Sequence, residues 1–271
     1  MPAKAYFDTQ VITMVSDGRI APAVWERVLR GTETKFVYRV SFTTFLELLT
    51  ALAGGDEANF VANRKRLLVL TDVPGCGFLP MPADFLRETL LGLPPIRAEF
   101  APSALQSEWM PIIKAATSKY ELSQTGVPTG SRYRGIDLAL VKNQAKHGKD
   151  LWVQELELAK DGRRGMPTRD LYAEFILHFH LRGETNSENV GRVAAALDAA
   201  YCHLAQVHHE STKSNYRFDN HPQDWIDNQQ LMYLADSDYT FVTLDGRLIS
   251  KLGKSTQKAR VQEFNKFAAN L

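Results

Sequence analysis

Short apolar strands alternate with helical segments at the start of this 271-residue chain. Residues 4–8 predict a buried strand, and residues 36–40, rich in β-branched and aromatic side chains, predict a second. Helical patterns follow at 11–30, 45–52 and 58–70. The order β-α-β-α-α favours an α/β fold, because a parallel sheet buries its two faces under the helices that connect its strands. We therefore expect three layers, α/β/α, around a mainly parallel sheet.

The C-terminal part returns to this pattern after a different middle section. Residues 224–235 predict a helix, 239–243 a strand and 255–270 a final helix. The middle is rich in Pro and Gly from residue 74 to 111. It then shows helical segments at 112–122, 138–146, 171–181 and 189–209, with 151–158 open between helix and strand. We predict a sheet domain made of residues 1–73 and 215–271, interrupted by a largely α-helical insertion or cap at 74–214.

The composition is that of a globular protein, with 44% hydrophobic and 23% charged residues. A net charge of +1 is too small to attract the whole chain to nucleic acid or to a membrane surface. The two cysteines, Cys76 and Cys202, fit a reducing compartment better than a disulfide framework. Asp8 and Asp17 interrupt any secretory apolar stretch, and no apolar run reaches membrane-spanning length. We expect a cytoplasmic protein with no membrane partner.

Acidic residues stand where the predicted strands end. Asp8 follows the first strand, and Asp245 follows the strand at 239–243. Glu47 is expected in the first turn of the helix after the second strand, capped by one of Ser41, Thr43 and Thr44. Asp227 is expected in the first turn of the helix before the last strand. Ligands of open parallel sheets bind outside the carboxyl ends of the strands, so these four acids are predicted to meet at one edge.

Four clustered carboxylates repel one another, and burial raises their pKa values further. A bound cation relieves this repulsion, and ligands that are all oxygen suit Mg²⁺ or Mn²⁺. Two such ions about 3.5–4 Å apart can activate a water and stabilise the leaving oxygen of a phosphodiester. Asp224, one helical turn before Asp227, is either an additional ligand or only the N-cap of its helix. Asp236 and Asp238 are interpreted as solvated turn residues at the far edge.

Three segments resemble the PIN-domain family of metal-dependent nucleases. They are YFDTQV with Asp8, SFTTFLELL with Glu47, and DWIDNQQLMYLADSDYTFVTLDGRL with Asp227 and Asp245, which stand eighteen residues apart. The resemblance covers residues 1–70 and about 220–255, and the middle section has no counterpart in short family members. It implies that Thr243 helps to orient the acidic cluster.

The resemblance implies a hydrolase: a nuclease, and more narrowly an endoribonuclease, that cleaves single-stranded RNA with Mg²⁺ or Mn²⁺ at Asp8, Glu47, Asp227 and Asp245. Single-stranded RNA is then the expected partner. The helical insertion would shape the substrate channel, bind a protein regulator or mediate homo-oligomerisation. Some family members are toxins paired with an antitoxin, and this chain is much longer than those.

Two other functions remain open from the sequence. A haloacid-dehalogenase-like phosphatase also places an Asp after its first strand, but its usual second acid is missing from Asp8-Thr9-Gln10-Val11. The other is a non-catalytic scaffold that binds RNA or protein. The four acids argue against it, because a scaffold has no need of a group of clustered carboxylates. Divalent-ion binding would distinguish the scaffold from the nuclease.

Histidines and short basic patches are weaker signals. His178, His180, His203, His208 and His209 show no zinc-site spacing, so core or surface positions are favoured for them. The basic stretches at 131–135 and 162–165 are interpreted as solvated loops by default, with contact to a nucleic-acid backbone as the alternative.

Overall fold

A five-stranded, all-parallel sheet forms the centre of the protein, whose structure is a computed structural model. It describes residues 2–54, 56–71, 73, 75–96, 100–124, 138–161, 165–213, 216–217, 221 and 223–271. The strands are β1 (Ala3–Phe7), β2 (Phe36–Val40), β3 (Gly77–Phe78), β4 (Tyr239–Thr243) and β5 (Val261–Glu263). Their order in the sheet is β3-β2-β1-β4-β5. The predicted parallel α/β architecture is confirmed.

Helices cover both faces of this sheet. In chain order they are α1 (Thr9–Ser16), α2 (Pro22–Thr34), α3 (Phe42–Gly54), α4 (Glu57–Val69), α5 (Pro82–Leu91), α6 (Pro102–Ala104), α7 (Met110–Ala115), α8 (Lys119–Gln124), α9 (Leu138–Lys160), α10 (Arg169–Phe175), α11 (Ser187–Ala196), α12 (Asp198–Ser211), α13 (Asp224–Leu231), α14 (Gly246–Lys251) and α15 (Phe264–Ala269). Wider π turns occupy Leu105–Trp109 and Ile176–Leu181, and 3₁₀ turns occupy Met232–Ala235 and Lys258–Arg260.

Alternate residues of the central strands enter two separate cores. Ala5 and Phe7 of β1 pack into one core with helices α1 to α4 and α15. Tyr6, between them, points to the other face and stacks on Phe241 of β4 with ring centroids 4.9 Å apart. This period of two is the pattern of a strand buried on both faces. The three-layer α/β/α arrangement follows from it.

The segment at 74–214 contributes to the sheet and to both cores. Its strand β3 pairs with β2 through Arg39↔Gly77 and Val40↔Phe78. Phe100 and Trp109 pack into the core of the first face, while Tyr172 belongs to the core of the second. The segment is largely helical, as expected. Its status as a separate domain or cap stays a prediction.

The helix predicted at 11–30 is in fact two helices. α1 ends at Ser16, and Gly18 adopts a left-handed φ of 72° that an L side chain disfavours. α2 starts at Pro22, where the fixed φ of proline suits the first helical turn. The predicted end at residue 30 is wrong, because the helix continues through Gly31 to Thr34. Gly31 is instead a close contact, since an added Cβ would lie 2.9 Å from the Phe36 ring.

The final helix predicted at 255–270 is also wrong. Residues Val261–Glu263 form β5, which pairs with β4 through Phe241↔Val261. Only Phe264–Ala269 is an α-helix, and the Glu263 side chain accepts hydrogen bonds from the amides of Asn265 and Lys266 to start it. Similarly, the segments at 112–122 and 189–209 each contain two helices, while the ambiguous 151–158 lies within the helix α9.

None of the helices that the structure describes combines the length and the apolar character that crossing a membrane requires.

Candidate active site at the carboxyl edge of the sheet

Asp8 and Thr243 meet at the carboxyl ends of β1 and β4. The two strands pair through Phe7↔Val242, so the residues that follow them are neighbours. The Thr243 hydroxyl donates to Asp8 Oδ2 at 2.7 Å and accepts from the Asp245 amide at 2.9 Å. One buried hydroxyl therefore fixes two of the predicted acids. These contacts are compatible with the orienting role that the sequence resemblance implied for Thr243, and the role itself stays a prediction.

Glu47 lies on α3, which begins directly after β2. The prediction that it occupies the first turn is wrong, because α3 already starts at Phe42 and Glu47 is its sixth residue. The helix begins this early because Ser41 caps it, with its hydroxyl accepting from the Thr44 amide at 3.0 Å. Glu47 nevertheless reaches the edge of the sheet, where the Thr9 hydroxyl donates to its Oε2 at 2.5 Å.

Asp227 occupies the first turn of α13, as predicted. Burial is the main cause of a pKa well above the ordinary value for this carboxyl. The second cause is the negative charge of nearby carboxylates, which are those of Asp8, Asp245, Asp224 and Glu47. The structure thus brings the other three predicted acids within electrostatic range of Asp227.

The same two effects act on Asp8 and Glu47. Burial raises the pKa of Asp8, the Thr243 hydroxyl opposes the rise, and the charge of Asp245 adds to it. Burial raises the pKa of Glu47 to about 7, and the charge of Asp8 contributes to the rise. The hydrogen bond from the Thr9 hydroxyl lowers the pKa but does not offset burial. Folding therefore assembles negative charge that is unfavourable without a counter-charge.

Asp245 has a structural task besides its place in the cluster. It is the N-cap of α14, and its Oδ1 accepts from the Arg247 amide at 2.7 Å and from the Leu248 amide at 3.2 Å. Carboxylates at this position are favoured by the partial positive charge of the helix N-terminus. The second oxygen, Oδ2, takes no part in this cap.

Asp224 has a cationic partner, which the other acids of this edge do not have among the described residues. Its Oδ1 is 2.5 Å from Lys251 Nζ, and its Oδ2 accepts from the Tyr216 hydroxyl at 3.1 Å. Asp224 is the first residue of α13 and not its N-cap, which is Gln223. The N-cap alternative for Asp224 is therefore wrong, and its role as an additional ligand stays a prediction.

The donor set fits a hard divalent cation. Among the described residues, no Lys or Arg forms an ion pair with Asp8, Glu47, Asp227 or Asp245. All four offer carboxylate oxygens, the donors that Mg²⁺ and Mn²⁺ prefer. A group of buried and half-buried acids without a counter-charge is the electrostatic condition that such an ion relieves.

No protein-family model, curated protein or solved structure matches this chain. The resemblance to PIN domains accordingly stays a prediction from the three sequence segments. What the structure adds is the convergence of the acids that those segments carry.

Two groups of residues at this edge were not predicted. Thr9 was not assigned a role, although it directly follows Asp8. A buried polar network also ties α3 to α13: Ser41 Oγ donates to Gln230 Oε1 at 2.8 Å, and Gln230 Nε2 donates to Thr44 Oγ1 at 2.6 Å. The hydroxyls of Ser41 and Thr44 were a visible signal. The partner Gln230 lies 189 positions from Ser41, so no local pattern identifies it.

The remaining predictions fall outside or away from this edge. The basic stretch at 131–135 and residues 162–164 lie outside the described residues. Asp236 and Asp238 lie at the opposite ends of the strands, where Lys4 pairs with them at 3.2 and 3.4 Å. His203 is fully buried, as a core histidine would be; burial, and then the charge of Lys251, lowers its pKa to about 3.

Proposed function

We propose that this chain is a divalent-metal-dependent endoribonuclease of the PIN-like type that hydrolyses single-stranded RNA. The observation that carries the proposal is the edge where Asp8, Glu47, Asp227 and Asp245 converge without an ion-pair partner among the described residues. Such an arrangement is costly for a folded protein unless a cation belongs there.

Each acid would hold the cation in a different way. Asp8 and Asp245 are preorganised by the Thr243 hydroxyl, and Asp227 offers its carboxylate from the first turn of α13. Glu47, whose pKa is about 7 without a cation, is partly protonated at neutral pH and would release that proton when a cation binds. When bound, Mg²⁺ or Mn²⁺ would supply activation of water and stabilisation of charge on the phosphodiester.

The direct test is cleavage of a fluorescent single-stranded RNA oligonucleotide by the full chain. We expect cleavage in Mg²⁺ or Mn²⁺, none in chelator, and a loss of at least about 100-fold in Asp8→Asn, because one charge of the electrostatic site is removed. Asp238→Asn is the matched control, since it makes the same chemical change at the opposite edge of the sheet. Robust cleavage by Asp8→Asn would overturn the proposal.

The alternatives give different results in the same preparation. A non-catalytic scaffold would show no Mn²⁺ binding by calorimetry and no cleavage. A haloacid-dehalogenase-like phosphatase would hydrolyse small phosphomonoesters and leave RNA intact. A DNA oligonucleotide of the same sequence tests the preference for RNA, which rests on the family resemblance alone.

The remaining parts of the proposal also rest on the resemblance and on composition. They are a cytoplasmic location, a protein regulator or antitoxin as partner, and a homo-oligomer. Gel filtration with light scattering tests the last of these, with a mass of 30.5 kDa expected for the monomer.

A further inference from the structure

His203 is a buried imidazole for which the described residues offer no hydrogen-bond partner. It lies on α12 with 0% of its surface exposed, and neither Nδ1 nor Nε2 has a partner in the described part of the chain. Buried polar groups are almost always hydrogen-bonded, so an orphaned imidazole needs an explanation. Imidazole nitrogen is also the commonest protein ligand for transition metals.

Two carboxylates lie within reach of this imidazole. His203, Asp224 and Asp227 each offer one donor atom, and all three atoms lie within 4.8 Å of one another. Donors about 2.1 Å from one ion are at most about 4.2 Å apart, so small side-chain movements would close the shell. Asp224 and Asp227 are one turn apart on α13, which packs against α12.

We propose that His203, Asp224 and Asp227 form a metal site of mixed imidazole and carboxylate donors. It would take a first-row transition ion such as Zn²⁺ in preference to Mg²⁺, because nitrogen donors favour the softer ion. Asp227 is shared with the all-oxygen edge described above, and Asp224 is its predicted additional ligand, whereas His203 belongs to the mixed site alone. The site needs no nuclease activity to form, so it goes beyond the proposed function.

The Lys251 ammonium would compete with a metal ion for Asp224. Its ammonium lies 2.5 Å from Asp224 Oδ1 and therefore occupies the position of a counter-charge. Glu210 Oε2 is 3.9 Å from the same ammonium and offers it a second partner when an ion binds Asp224. Removing the ammonium leaves two carboxylates and a neutral imidazole. A divalent cation would neutralise the negative charge of the two carboxylates. Loss of the ammonium should therefore increase the affinity for a metal. If Lys251 and Asp224 formed only a structural salt bridge, its loss would not increase that affinity.

The test is Zn²⁺ titration of the full chain by calorimetry, with His203→Leu and Lys251→Met. We expect His203→Leu to weaken Zn²⁺ binding by at least about tenfold, and Lys251→Met to tighten it by about threefold or more. His209→Leu is the control, because this imidazole is exposed on the same helix and reports adventitious surface binding. Unchanged Zn²⁺ affinity in His203→Leu, or weaker binding in Lys251→Met, would overturn the proposal.

A second measurement covers the case in which His203→Leu does not fold. Co²⁺ titration of the wild-type chain, followed by proton NMR, should give hyperfine-shifted imidazole resonances, and their absence from a Co²⁺-saturated sample contradicts the site. Asp8→Asn separates this proposal from the nuclease. It should lose cleavage and keep His203-dependent Zn²⁺ binding, so either proposal can fail while the other stands.

Discussion

Thr243 shows how much of the proposed edge depends on one side chain. Its hydroxyl is fully buried, donates to Asp8 and accepts from the amide of Asp245. Both partners would lose a hydrogen bond if the hydroxyl were replaced by a methyl group of nearly the same size. A residue that carries no charge thus holds both the Asp8 carboxylate and the Asp245 backbone in place.

Thr243→Val should destabilise the protein and weaken its affinity for Mn²⁺. We expect a loss of about 1–3 kcal/mol in the free energy of unfolding, because buried polar groups are left without partners. Urea denaturation and Mn²⁺ calorimetry measure the two effects. Thr32→Val is the control, since the Thr32 hydroxyl donates to the Leu29 carbonyl within its own helix and to no other acceptor in the described part of the chain. Wild-type affinity for Mn²⁺ in Thr243→Val would contradict the orienting role.

At the same scale, the sequence predicted the acids of the edge better than the polar residues that hydrogen-bond around them. Asp8, Glu47, Asp227 and Asp245 were predictable because each stands at the end of a recognisable strand or near the start of a helix. Thr9 and Gln230 were not, because a hydroxyl or amide has many ordinary positions in a fold. His203 was assigned to the core or surface, since its acidic neighbours follow 21 and 24 residues later.

At the scale of elements, a buried polar network links α3 to α13 through hydrogen bonds. Gln230 is 0% exposed and lies one turn after Asp227, while Ser41 caps the helix that carries Glu47. The Tyr6 hydroxyl donates to the Gln230 carbonyl at 2.7 Å, which adds β1 to the connection. The network thus links the elements that present Glu47 and Asp227 to the edge.

Gln230→Leu tests whether this network positions the acids. The change keeps the volume similar but removes both amide partners of Ser41 and Thr44. We expect a loss of about 1–3 kcal/mol in unfolding free energy, because those hydroxyls each lose a buried partner. Weaker Mn²⁺ binding should accompany it. Gln206→Leu is the control, because the one side-chain hydrogen bond of Gln206 among the described residues goes to Glu210 on its own helix. An unchanged Mn²⁺ affinity in Gln230→Leu would show that the network is structural only.

Element boundaries were predicted less well than element types, for reasons visible in the structure. The strands β1, β2 and β4 are central and rich in buried side chains, so their sequences are distinctive. β3 has two residues and β5 has three, and both gain their conformation from pairing with a neighbour. Local sequence cannot report a tertiary pairing of that kind.

At the scale of the whole molecule, two sets of acids give stability opposite dependences on pH. The folded chain holds Glu47 at a pKa of about 7, above its ordinary 4.5. Folding therefore takes up protons in that window, and stability falls as pH rises through it. This change in pKa corresponds to about 3 kcal/mol. Asp8 and Asp227, whose pKa values are also raised, act in the same direction.

Asp198 acts in the opposite direction. Burial opposes its ionisation, but hydrogen bonds from Ser255 and Thr256 and the charge of Arg169, 2.7 Å away, outweigh burial and lower its pKa below 3.8. A carboxyl with a lowered pKa stabilises the fold above its ordinary value and loses that contribution as pH falls below it. The metal-free chain should therefore be most stable at a mildly acidic pH, between the two windows.

A divalent cation should move this optimum toward neutral pH. In chelator, we expect the urea midpoint to be highest near pH 4.5–5 and to fall toward pH 8, because the clustered acids must ionise. Saturating Mn²⁺ should remove most of that fall, since the ion stabilises the ionised cluster. Glu47→Gln, which removes one titrating carboxyl, should flatten the profile in chelator, whereas Glu184→Gln, an exposed acid, should not. A metal-free chain that gains stability from pH 5 to 8 would contradict the repulsion on which the metal site was inferred.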